Sequence, residues 1–203
     1  MSFLKWFKKK VPAKTSIPAI VPDFADISHW EKINFKLYEP KVLITKATEG
    51  LNYVDPTFRN IKAECKIREI KFGAYHFFRC NVSPINQARH YLSTVKDFDM
   101  APILDIESLD GVAPTEVKHL IKAWLDIVEL ETGRIPMIYS GHSFIVSAKF
   151  PEEFSRYPLW LARYTDIVPI APAPWKEWDI WQFSDKAPFK GIGPADGNVF
   201  KKK

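Results

Sequence analysis

Eight short apolar runs punctuate this chain, and helices fit only between the early ones. The runs are FADI (24–27), VLIT (42–45), FGAYHFF (72–78), APILDIE (101–107), IPMIYS (135–140), PLWLARY (158–164), WDIWQF (178–183) and ADGNVF (195–200). Each has strand length and turn-forming neighbours. Helical patterns fit a short segment near 30–38, one after Asp55-Pro56, one after Ser83-Pro84, the long 114–131 stretch, and 142–150. Proline suits the first turn of a helix, and Val117, Leu120, Ile121, Trp124, Leu125 and Val128 make a single stripe. The later gaps are different. Residues 165–177 hold Pro169, Pro172 and Pro174, and 184–194 hold Pro188, Gly191, Gly193 and Pro194, so neither sustains a helix. Eight strands with helices after the first five predict a closed α/β barrel that finishes in bare strands.

Barrels of this kind gather functional groups at the C-terminal ends of their strands. Asp105 and Glu107, in LDIES, are two residues apart, so in a strand they share a face with backbone origins roughly 6.6 Å apart. Asp26 ends the first strand and Asp196 opens the last, and those two strands are neighbours in a closed barrel. Four carboxylates converging on one mouth make a poor core, because burying unpaired charge is costly and like charges push one another's pKa upward. They make a credible glycosidase site, where paired carboxyls work as acid and as base or nucleophile. A hard cation is the other use of such a set, but no clustered His, Cys or DxDxDG pattern accompanies it. The histidines at 29, 76, 90, 119 and 142 are scattered, and His76 reads as a satisfied core group.

The net charge of +5 belongs to the ends of the chain. Lys5, Lys8, Lys9, Lys10 and Lys14 precede any acid and Lys201, Lys202 and Lys203 close the chain; without these eight the charge is −3. A nucleic-acid-binding face would spread over the fold, so none is expected. Basic tails favour weak contact with an anionic envelope. Cys65 and Cys80 are expected as free thiols. No secretory leader or membrane-length apolar run is read.

In chain order DISHW, ITKATEGLNYVDPTF, GAYHFF, APILDIE, IYSG, LWLARY, WDIWQFS and DGNVF resemble the glycoside hydrolase family 25 lysozymes, the Chalaropsis-type muramidases, over roughly residues 23 to 200. The resemblance implies a TIM-like flattened (β/α)5β3 barrel as one domain, residues 23–203, behind a basic tail at 1–22. It implies cleavage of the β-1,4 bond between N-acetylmuramic acid and N-acetylglucosamine in peptidoglycan, without a cofactor; no metal is expected, and nothing in the sequence argues for more than a monomer. Glu107 takes the family's proton-donor position and Asp105 its partner aspartate, while Asp26 and Asp196 match two further active-site aspartates. Tyr75, Tyr139, Trp160 and Trp181 match aromatic positions that line or support the groove. Glu49 matches a loop acid without an assigned role. The substrate places its action at the cell wall, reached by phage release or delivery by a secretion machine.

Glu107 has the longer reach and is expected to be the general acid, with Asp105 remaining charged. Strand spacing leaves three routes open for Asp105: nucleophile, base for water, or support for attack by the substrate's own N-acetyl oxygen, which is favoured. The rival readings are a non-catalytic glycan-binding module on the same barrel and a related hydrolase acting on chitin.

Overall fold

The computed structural model describes residues 20–202; most of the basic tail expected at 1–22 therefore lies outside the described residues, as does Lys203. Strands β1 (Phe24–Ile27), β2 (Val42–Glu49), β3 (Tyr53–Val54), β4 (Lys71–Phe77), β5 (Ile103–Asp105), β6 (Met137–Gly141), β7 (Leu159–Ala162), β8 (Ile180–Phe189) and β9 (Gly193–Phe200) alternate with helices α1 (Phe58–Ile67), α2 (Pro84–Val95), α3 (Pro114–Thr132) and α4 (His142–Ala148). The sheet runs β1-β9-β8-β7-β6-β5-β4-β2, and a β1–β2 pairing closes it into an eight-strand barrel; β3 is a short addition to β2. Neighbours from β1 through β2, β4, β5, β6 and β7 to β8 are parallel. Among the eight barrel strands only β9 runs against its neighbours, β8 and β1, so its early residues lie at the mouth formed by the C-terminal ends of the others.

Two layers of core follow from strand alternation. Phe24, Ile44, Ile103, Tyr139, Trp160 and Ile180 fill the barrel. A larger layer lies outside, where α3 packs the stripe Val117, Ile121, Trp124, Leu125 and Val128. This helix starts at Pro114 and stops at Gly133, which takes the left-handed conformation (φ 65°) that ends helices cheaply. Ser83 caps α2 by accepting from the Asn86 N–H, with Pro84 in the first turn.

The helix expected at 30–38 does not form. Its residues make turns whose bonds go elsewhere: the Asn34 N–H donates to the Gly191 carbonyl (2.7 Å), and the Ala25 N–H donates to the Tyr38 hydroxyl (3.0 Å). The Glu31 carboxylate folds back onto the Ser28 N–H (2.8 Å). Gly191 makes the docking possible. Its φ is +93° and a Cβ there would sit 2.9 Å from both the Asn34 carbonyl oxygen and Leu37 Cβ. The 184–194 gap holds no helix, as expected, and is mostly a hairpin, with β8 running to Phe189 and β9 starting at Gly193. Cys65 and Cys80 are free and buried, as expected, and burial pushes both thiols up to about 12. No helix among the described residues is long and apolar enough to cross a membrane.

Candidate active site

Two strand ends and one strand start carry the four acids. Asp26 and Asp105 lie in β1 and β5 and are buried, whereas Glu107 sits two residues past Asp105, beyond the strand end, and is exposed. Asp196, on β9, is the direct register partner of Asp26. Burial first, then the charge of Asp196, holds Asp26 well above the usual carboxylate range, against the pull of two side-chain donors. Burial, followed by the charges of Glu31, Asp185 and Glu107, pushes Asp196 up to about 7.

The Asp105–Glu107 pair is the most lopsided feature. Burial raises Asp105, the nearby Glu107 carboxyl raises it further, and the Lys46 charge opposes them. Of the two, the buried member is the harder to ionise. The charge expected on Asp105 is opposed by its drier place, where charge costs most. Asp105 Oδ1 is buried with no hydrogen-bond partner among the described residues, which is rare for an acceptor outside a functional site.

Beneath the acids runs a fixed network. Asp26 Oδ1 accepts from Gln182 Nε2 (2.9 Å) and Asn198 Nδ2 (2.7 Å). Gln182 Oε1 in turn accepts from the Tyr139 hydroxyl (2.8 Å) and the Tyr164 hydroxyl (3.1 Å). Asn198 Oδ1 accepts from the Trp160 indole N–H (2.8 Å). Gln182 and Asn198 face each other in register on β8 and β9, so inward parity alone puts both amides on Asp26.

These bonds sort the four aromatic candidates. Tyr75 is half-buried among the acids, and burial followed by the charges of Asp105, Asp26 and Asp196 pushes its phenol upward. Tyr139 joins Glu107, His142, Arg163 and Tyr164 around a cavity of about 420 Å³. Trp160 is 1% exposed and stands edge-on to Tyr139 at 4.8 Å, so it supports the network and cannot touch a sugar. Trp181 is misplaced by the expectation. It has the opposite parity to Gln182, gives its N–H to the Arg163 carbonyl (2.7 Å) and packs on Trp178 and Phe183 outside the barrel. His76 is the core group expected: its ring nitrogens lie 2.8 Å from Thr48 Oγ1 and 3.2 Å from Gln87 Oε1, and burial pushes it down to about 3.

Sequence reasoning also missed Lys46, Gln182, Asn198 and Tyr164. Lys46 projects toward the mouth from β2, donating to Glu49 Oε2 (2.5 Å), and lies 4.7 Å from the centroid of the Phe77 ring. Arg79 donates to the other oxygen of Glu49 and lies the same distance from Phe77. Glu49 thus ties two cations together; burial opposes its charge, but the Lys46 and Arg79 hydrogen bonds hold it below its ordinary range.

The model of the Glycosyl hydrolases family 25 matches residues 25–192, stopping short of Asp196. The uncharacterized protein YegX of Escherichia coli (strain K12) is 35% identical, over 97% of this chain and 74% of its own. Lysozyme M1 of Streptomyces globisporus is 28% identical, over 86% and 66% respectively. The crystal structure of the bacterial lysozyme from Streptomyces coelicolor superposes with a TM-score of 0.81 at 27% identity, covering 88% of this chain and 91% of that one.

Proposed function

The chain belongs to glycosyl hydrolases family 25 and is a glycoside hydrolase of the lysozyme type; on that footing we propose that Glu107 and Asp105 cleave the β-1,4 bond between N-acetylmuramic acid and N-acetylglucosamine by substrate assistance. The observation that carries this reading is the unpartnered Asp105 Oδ1 beside the exposed Glu107.

Burial resists the carboxylate form of Asp105 in the empty site. A bound muramic acid offers its acetamido N–H to Asp105 Oδ1, and that donor, with the Lys46 charge, favours the carboxylate form of Asp105. Glu107, the member that reaches the mouth, supplies the catalytic proton. Glu107 protonates the leaving glycosidic oxygen while the acetamido carbonyl oxygen attacks the anomeric carbon from the opposite side. Asp105 keeps the acetamido group aligned and balances its developing positive charge. Glu107, now a carboxylate, takes a proton from water as that water opens the cyclic intermediate, so the anomeric configuration is retained. Asp26 and Asp196 hold the sugar and set the field around the pair. They transfer no proton.

Three measurements test this on purified peptidoglycan. Mass spectrometry of the digest should identify new muramic acid reducing ends, NMR of the first-formed product should show retained configuration, and de-N-acetylated muramic acid should resist cleavage. An inverted product would instead make Asp105 the base for water, and tight binding without new reducing ends would make the barrel a glycan-binding module. The wall is the proposed place of action. The lysines near the chain ends would assist encounter with it, so removing residues 1–19 should lower activity on whole walls at low salt and leave soluble fragments unaffected.

A further inference from the structure

Beyond the acids, the mouth carries a large aromatic ring whose exposure nothing in the fold requires. Trp30, three residues past the end of β1, is 79% exposed, whereas Trp124, Trp160, Trp175 and Trp181 are all buried. Its ring leans on His29 with centroids 4.4 Å apart and planes at 38°. His29 is itself held from behind: its Nδ1 lies 3.0 Å from Asp55 Oδ2 and 3.2 Å from the Tyr53 hydroxyl, and its backbone N–H donates to the same Asp55 oxygen (3.0 Å). Tyr53, on β3, stands edge-on to His29 at 6.2 Å and is 37% exposed. The three rings form a shelf fixed before any ligand arrives, so little side-chain freedom remains to be lost on binding.

Barrel order gives the shelf its place. On the eight-strand ring β1 stands opposite β6, and β2, which carries the β3 hairpin, stands opposite β7. Trp30 and Tyr53 therefore face His142, Arg163 and Tyr164 across the mouth, with the acids between them. The charge of Glu31, one residue past Trp30, is felt at both Asp26 and Asp196, so this turn borders the site.

We propose that Trp30, backed by His29 and Tyr53, is a stacking subsite for a pyranose ring of the glycan strand, remote from the bond being cut. This rests on the muramidase reading above. An N-acetylated amino sugar presents a face of C–H groups that an exposed indole can cover, while its hydroxyl and amide edges stay in water. A strand crossing the mouth from the shelf to the Arg163 side would pass the acids midway, so the subsite rewards long strands over short fragments.

The test compares wild type, Trp30→Ala and Trp30→Phe on long soluble glycan strands and on the shortest fragments that are cleaved. Trp30→Ala should lower the ratio of kcat/KM for long strands to that for short fragments about tenfold, the scale of one aromatic contact, and mainly through KM. Trp30→Phe should recover most of the ratio. An unchanged ratio, or an equal loss on both substrates, overturns the subsite. If wild type releases no reducing ends from either substrate, the muramidase reading fails, and titration with β-1,4-linked N-acetylglucosamine oligomers still decides the stacking. Weaker binding of long oligomers by Trp30→Ala upholds it, and equal binding overturns it.

Discussion

Asp26 and Asp196 are register partners across the antiparallel β1–β9 junction, which places their side chains on one face with Cβ atoms about 4.5–5.5 Å apart. Like charges so placed repel, and burial adds to the cost. Asp196 rises from 3.8 to about 7, burial being the largest cause. An acid raised on folding binds a proton that the unfolded chain has released, so stability falls as pH climbs between about 4 and 7 and stays lowered above that. Asp196→Asn removes the cost. Its melting temperature should match wild type below pH 4 and exceed it by a few degrees above pH 7, while turnover drops. An offset that is the same at every pH would show that the Asp196 charge is not what strains the junction.

The carboxyl pair should behave as one unit. Glu107→Gln and Asp105→Asn should each lower kcat on peptidoglycan by about 10²–10⁴, and the double variant should lose little more than the worse single one. Additive losses in single-turnover rates would mean that the two carboxyls act in separate steps.

Lys46 offers a test of the proton's position. Its charge draws Asp105 downward against burial and Glu107. Removing a cation raises a neighbouring acid's pKa, so in Lys46→Met both limbs of the kcat/KM profile should move to higher pH. A lower rate with unmoved limbs would leave Lys46 only a structural part, tying down Glu49.

Gln182 is the hinge of the buried network, donating to Asp26 and accepting from Tyr139 and Tyr164. Gln182→Leu strips one donor from a buried acid and leaves the Tyr139 hydroxyl without its acceptor. Each buried group left unpaired costs about 1–3 kcal/mol, so urea unfolding should register a loss of at least about 2 kcal/mol. A smaller loss would mean that water replaces the amide.

The acids were legible because strand ends on an apolar run have few other uses for a carboxylate, and the barrel because its proline-rich late gaps forbid helices. Parity within a strand was legible too, yet it was not applied in WDIWQF. Ile180 points into the barrel, so Gln182 must as well, and Trp181 must point out. Other features were beyond local reading. Residues 30–38 have a helical pattern, but their partner is Gly191, far along the chain. Gln182 and Asn198 look like ordinary strand amides until β1 is set beside β9. Whether Trp160 lines or supports the groove was open because nothing local says that its N–H is spent on Asn198.

That seam between first and last strands also sets a timetable. Asp26 meets Asn198 across 172 residues of chain and Gln182 across 156, so its carboxyl lacks both donors until β8 and β9 have been made. Contacts of such long range form late and slowly. A nascent chain therefore carries Glu107 and Asp105 without the finished ring around them, and hydrolytic competence waits for the final strand to dock.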